Sequence, residues 1–429
     1  MPPAAGERMR RNVRLYPWFL ASSSISPWLP IFFLFFSQRV GFDGALTLSA
    51  VFYAAVVVLE VPSGYLSDRV GRVPTLAGSA LLQLAAYAVF VAADSLPMLA
   101  LGQTLMAAGL AFRSGSDSAL LHDSLAADGR QADYGPAEAR AGTVSMCATG
   151  LSCLVGGLLG SVDLALPYAL GGLAAAISLF IATRFIEPPL DRETASTVGE
   201  QARQLVGLFG DRVLLWLFAF HVLAFTLAHV PFEFYQPWLR LLGDTGEGAW
   251  LAGGEKAPVV SGVVFAISMF GGAVGSWLSI RIADRLGLPQ LLLLANAVQL
   301  LIIGGLALAL HPALLVLVLS RNFAMAMSAP PALAAIAPRL AAGQRATWLS
   351  LQSLAGRLGF SLVLFALSGV VATELQWQML RAVLLGCVGV GAVLALLLWW
   401  VGARTGSDTG TVPERPGAGS GRSASSSTG

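Results

Sequence analysis

Apolar runs close to twenty residues long recur along the chain, each ended by glycine, proline or a knot of charge. About twenty helical residues cross the roughly 30 Å of hydrocarbon in a bilayer, so each run reads as one crossing. The first six cover Pro17–Phe36, Ala45–Leu66, Pro74–Ala93, Met98–Leu121, Thr143–Ser161 and Leu164–Ile186. The second six cover Val213–Tyr235, Val259–Ile282, Pro289–Leu310, Pro312–Ile336, Thr347–Val371 and Trp377–Val401. The pattern predicts an all-α membrane protein, twelve transmembrane helices in two pseudo-symmetric six-helix bundles. Residues 1–186 form the first bundle, 187–212 a polar connection, 213–402 the second bundle and 403–429 a Gly/Ser-rich tail expected to be disordered. The opening "MPPAAGERMRRNVRLYPWFL" has the basic-then-apolar order of a signal peptide. Its apolar run continues without a small-residue cleavage site, so it reads as a retained first span.

Composition agrees: 56% of the 429 residues are hydrophobic, 12% are charged and the mean hydropathy is +0.72, so the expected solvent is a lipid bilayer. Charge placement carries more than its sum. Loops on the N-terminal side hold Arg69, Arg72, Arg130, Arg140, Arg184, Arg281, Arg285 and Arg339 among others, whereas the opposite loops hold Arg39, Arg240 and Lys256. The positive-inside rule then puts both termini in the cytoplasm. The preference for Arg over Lys, with abundant Ala and Gly, suits a GC-rich bacterial genome and hence a bacterial inner membrane. Cys147, Cys153 and Cys387 lie within apolar runs and read as packing residues, so neither a disulfide framework nor a metal site is expected. No nucleic-acid partner is expected, and a monomer is.

Two echoes point to an internal repeat. "DRVGR" at Asp68 returns as "DRLGL" at Asp284, and "RAGTVS" at Arg140 returns as "RATWLS" at Arg345. Parallel repeats of six helices place a ligand site near midplane, between the halves.

The stretch "GYLSDRVGR" resembles the signature loop of the major facilitator superfamily, G-x-L-x-D-R-x-G-R, matching at Gly64, Leu66, Asp68, Arg69, Gly71 and Arg72. The resemblance implies a conformational latch. Asp68 would face the start of the eleventh helix, with Thr347 as its cap, and Arg72 would reach Asp123 in "LLHDSL". The second copy keeps Asp284 and Arg285 but has Leu288 in place of the final Arg, which implies a weaker latch. Two other family motifs match poorly. The fourth helix has Gln103 where proton-coupled exporters carry Arg, and of the fifth-helix antiporter pattern only Gly156 and Gly157 survive.

A charge at a helix centre costs about 2.5–3.5 kcal/mol, so intramembrane charges mark partners or wet cavities. The resemblance implies that helices one, four, seven and ten line the cavity. Arg113 and Asp117, one turn apart, read either as a substrate or proton site or as a self-neutralised pair. His221, Phe225, His229 and Glu233 form one stripe, in which His229 beside Glu233 could relay a proton; alternatively Glu233 is a hydrated carboxylate near the outer mouth. Arg321 and Asn322 suit an anionic ligand or a carboxylate elsewhere in the bundle. Glu60 suggests gating, Arg357 falls outside the expected lining, and Trp28 belongs to an aromatic face serving packing or recognition.

No phosphate-cradling Gly-Lys-Ser/Thr loop and no nucleophile–base pair occurs, so neither an enzyme nor a cofactor is expected, and energy must come from a gradient. The expected function is secondary export of a small amphipathic molecule (a drug, siderophore or secreted metabolite) against protons. Import of an organic anion or nutrient and a non-transporting scaffold are the alternatives.

Overall fold

The computed structural model describes residues 5–188, 210–253, 255–336, 339–340, 342–368 and 376–405. Most of the predicted connection and tail therefore lies outside the described residues. Ten described helices are long and apolar enough to cross a membrane. The two other predicted spans differ from this group for identifiable reasons: Leu166–Ala182 is a shorter apolar helix, and the first span is broken.

The break follows from "SISPWLPI". Helix Ala5–Ser24 stops where Pro27 and Pro30 remove two amide donors, and helix resumes at Phe32. Phe32–Val70 then contains both the end of the first span and the whole of the second, folded at Gly41 (φ 78°, ψ 177°). The fourth span is Leu96–Arg113 followed by Ser116–Ala127, separated at Gly115 (φ 76°). The tenth is divided at Ser320 into Leu315–Leu319 and Arg321–Ile336. The fifth is Tyr134–Gly160, and the seventh, Arg212–Gly243, is capped by Asp211 and contains Pro231 and Pro237. The eighth, ninth, eleventh and twelfth are Lys256–Leu286, Leu288–Leu308, Ala342–Ser368 and Trp377–Thr405.

The third span, Arg72–Ala92, packs on the second, fourth and sixth; the ninth packs on the seventh, tenth and twelfth. These groupings form two bundles, joined through the second against the eleventh span and the fifth against the eighth. Large apolar side chains such as Leu158, Phe180, Phe270 and Leu301 point outward, as they must where lipid replaces water. The sequence repeat has a conformational counterpart. Gly71 and Gly287 each join two helices with positive φ (120° and 77°), and each amide closes on a carbonyl four residues back, Ser67 and Ala283. Only glycine takes such a φ without cost.

Candidate functional site

The end at which the first helix begins is the near side, and the other end the far side. The hydrogen bonds described between the bundles cluster toward the far side, and three of them involve the broken first span. Its unwound backbone is satisfied by side chains. Ser152 and Cys153 of the fifth span meet the Ser26 amide and carbonyl at 3.0 and 3.9 Å. From the other bundle, Ser261 donates to the Pro30 carbonyl and is itself bonded to Tyr235. Gln236, fully buried, donates to the Leu29 carbonyl at 3.1 Å and accepts from the Phe33 amide at 3.0 Å. Leu29 and Phe33 are the i,i+4 partners of an ordinary helix, so the Gln236 amide group stands in for a missing backbone hydrogen bond.

Gln236→Leu leaves two buried backbone groups without this partner, which should weaken far-side closure by about 2 kcal/mol. In a background where Cys147 and Cys387 are alanine, the labelling rate of buried Cys153 should then rise about thirtyfold; an unchanged rate would argue against this role.

Glycines allow the close approach. A Cβ at Gly156 would overlap the Pro27 carbonyl, and one at Gly157 would sit 2.6 Å from the Pro258 carbonyl oxygen and 3.1 Å from Gly262. The paired glycines of the fifth helix therefore form the contact surface for the first and eighth spans.

Below this closure lies a cavity of ≈ 250 Å³. Its wall is aromatic, with Trp28, Phe32, Tyr53, Tyr87 and Phe232, and its polar points include Gln83, Gln103, Arg113 and Glu233. Spans one, four and seven contribute as expected; the tenth does not, and the second and third do. Glu233 is fully buried rather than hydrated at a mouth. One of its oxygens accepts from Ser49 across the bundle interface, and the other has no partner. Its predicted relay partner His229 instead stacks on Phe225 (3.8 Å between centroids) and donates Nδ1–H to the Phe225 carbonyl. Trp28 donates to the Tyr87 hydroxyl at 2.9 Å, and Gln103 donates to the Leu48 carbonyl at 3.3 Å.

Arg113 and Asp117 do not form the ion pair that their spacing suggested. The left-handed turn at Gly115 puts them on separate helices, so Arg113 donates to the Ser23 carbonyl at 2.8 Å while Asp117 accepts from the Ser118 amide. Arg113 also borders a second cavity of ≈ 240 Å³, shared with Asp117, Glu60 and Arg357. Glu60 and Arg357 come from opposite bundles, which sequence spacing gives no means of seeing. Arg321 is buried among Phe265, Phe232 and Tyr235, with its guanidinium carbon 4.4, 5.0 and 5.8 Å from the ring centroids. Asn322 turns to the Met269 sulfur at 3.9 Å, within the packing of the eighth and tenth spans.

At the near side, Arg72 Nε lies 3.6 Å from Asp123. Arg69, Asp284 and Arg285 are exposed. The side chains of Asp68 and Thr347, and the surroundings of Gly64, lie outside what the structure describes. Glu187, which the sequence did not single out, accepts from the Arg72 and Val73 amides at 2.6 and 2.8 Å and so caps the third span. A Cβ on Gly71 would meet this carboxyl group at 2.8 Å, at a φ that side chains avoid. Gly71→Ala should therefore cost about 1–3 kcal/mol and lower the melting temperature. Gly78→Ala, where a Cβ meets open space within a helix, should be neutral or stabilising. Equal melting of the two variants would contradict this assignment.

Two bundles closed on one side over a cavity, with interrupted helices beside it, define a multi-pass membrane transporter fold. The sequence matches the Major Facilitator Superfamily over residues 18–337, and the chain belongs to that family of transporters. A solved structure of a mutant nucleoside transporter NupG has a TM-score of 0.77 at 16% identity, covering 92% of this chain and 99% of that one. The POT family transporter PepTSo gives 0.70 at 14% identity, covering 92% and 98%. An auto-inhibited POT family peptide transporter gives 0.71 at 15%, covering 92% and 97%. At these identities the likeness concerns the fold. No curated protein matches the chain.

Proposed function

We propose that the chain exports a small amphipathic molecule in exchange for protons across a bacterial inner membrane, by rocking residues 1–186 against 213–402 around the aromatic cavity. The observation that carries this reading is Glu233: buried between the bundles at the edge of the cavity, it holds Ser49 with one oxygen and leaves the other unpartnered. A group so placed can exchange a proton for a ligand contact while taking part in the closure between bundles. The orientation rests on arginine. Arginine is concentrated at the near-side helix ends, where Arg184, Arg281 and Arg404 lie over Phe180, Trp277 and Trp400, and by the positive-inside rule that side is cytoplasmic. The far-side-closed form is then the inward-facing state.

Proteoliposomes carrying an internal pH dye test the proposal. Proton movement driven by at least one member of a panel of amphipathic cations, anions and zwitterions, absent from empty vesicles, is the expected result. Import is the second reading, favoured by fold neighbours described as nucleoside and peptide transporters. Counterflow of uridine or dialanine, with no proton movement by any amphipathic compound, would replace export with import.

A further inference from the structure

The two charges on the ≈ 250 Å³ cavity have opposite signs and come from different bundles. Arg113 ends the helix Leu96–Arg113, where the carbonyl end of the helix favours a cation, and it donates to the Ser23 carbonyl. Asp117 and Glu60 border the adjoining cavity, and neither carboxylate lies within ion-pair distance of Arg113. Glu233 has a buried oxygen without a partner. Arg113 on the fourth span and Glu233 on the seventh border the same cavity. The wall between them is ring-lined: Phe32 and Phe232 stack at 5.4 Å, and Trp28 meets Phe32 edge-on at 6.4 Å.

We propose that the cavity takes a zwitterion with a flat aromatic body, its ammonium group on Glu233 and its anionic group on Arg113. This rests on the transport reading above and names its substrate class. A cation filling the cavity brings Arg113 no anionic hydrogen-bond acceptor, an anion leaves the Glu233 oxygen unpaired, and a neutral molecule leaves both. Sites built from buried polar groups reject ligands that leave those groups unmatched. Charge-assisted hydrogen bonds at both ends fix the ligand's direction, and ring faces accept its body at little entropic cost. The ammonium and a proton would occupy the same Glu233 oxygen in turn, which links the substrate class to the exchange.

Three matched probes decide it: 4-(2-aminoethyl)benzoate carries both charges, 2-phenylethylamine only the cation and 4-ethylbenzoate only the anion. Titration calorimetry on the detergent-purified full chain should show the zwitterion binding at least about tenfold more tightly than either analogue. Glu233→Gln should reduce the zwitterion to the level of the anion, and Arg113→Gln to the level of the cation, with each variant's melting curve recorded as a check on folding. If a singly charged probe binds as tightly as the zwitterion, or if none of the three binds, the proposal is overturned. Proton movement with a member of the amphipathic panel alongside either result would leave the transport reading standing and remove only the substrate class.

Discussion

Glu233→Gln is expected to abolish proton-driven accumulation while leaving a folded protein that still exchanges substrate. The substitution keeps the shape of the side chain and its acceptor for the Ser49 hydroxyl but removes the site that carries a proton. Each coupled charge is worth about 2.3 kcal/mol per 100 mV, so the steady-state gradient should fall about fiftyfold at that potential. The ratio of substrate inside and outside at steady state, beside the counterflow rate, separates this from misfolding, which removes both. A variant that keeps the full gradient would move the proton to another group.

Gly157→Ala is expected to have the largest effect on conformation. No side-chain rotation relieves the overlap, because the added methyl meets backbone of the other bundle at Pro258 and Gly262. The fifth and eighth spans must separate, at a cost of about 3 kcal/mol to the far-side-closed form. A population shift of about a hundredfold toward far-side opening follows, read as faster labelling of buried Cys153 in the background lacking Cys147 and Cys387. A variant labelling at the parent rate would mean that the fifth span is not part of the closure.

The near-side turns were legible because their chemistry is local. The Asp-Arg-x-Gly pattern recurs after 216 residues, and its glycine takes positive φ both times, at Gly71 and at Gly287. The helix count was nearly as legible, since apolar length is a property of each segment alone. The cavity was read less completely. Arg113 and Asp117 looked like a pair because i,i+4 spacing presumes an unbroken helix, and Gly115 breaks it. Pro27 and Pro30 were visible, but the sequence does not say that Gln236, some two hundred residues away, takes the backbone bond they leave open. Glu233 was singled out for its charge. Its burial depends on Ser49 and the rings of the other bundle, which no local pattern encodes.

Transport requires alternation between two forms, and that can be measured without knowing the cargo. In a cysteine-free background, spin labels at Gln38 and Glu255 report the far side, and labels at His122 and Gln290 the near side; all four positions are exposed. Distances recorded at high and low pH, and with the zwitterionic probe, should move in opposite senses, the far-side pair lengthening as the near-side pair shortens. Two pairs that hold one distance under every condition would contradict the account and leave a scaffold with the fold of a transporter.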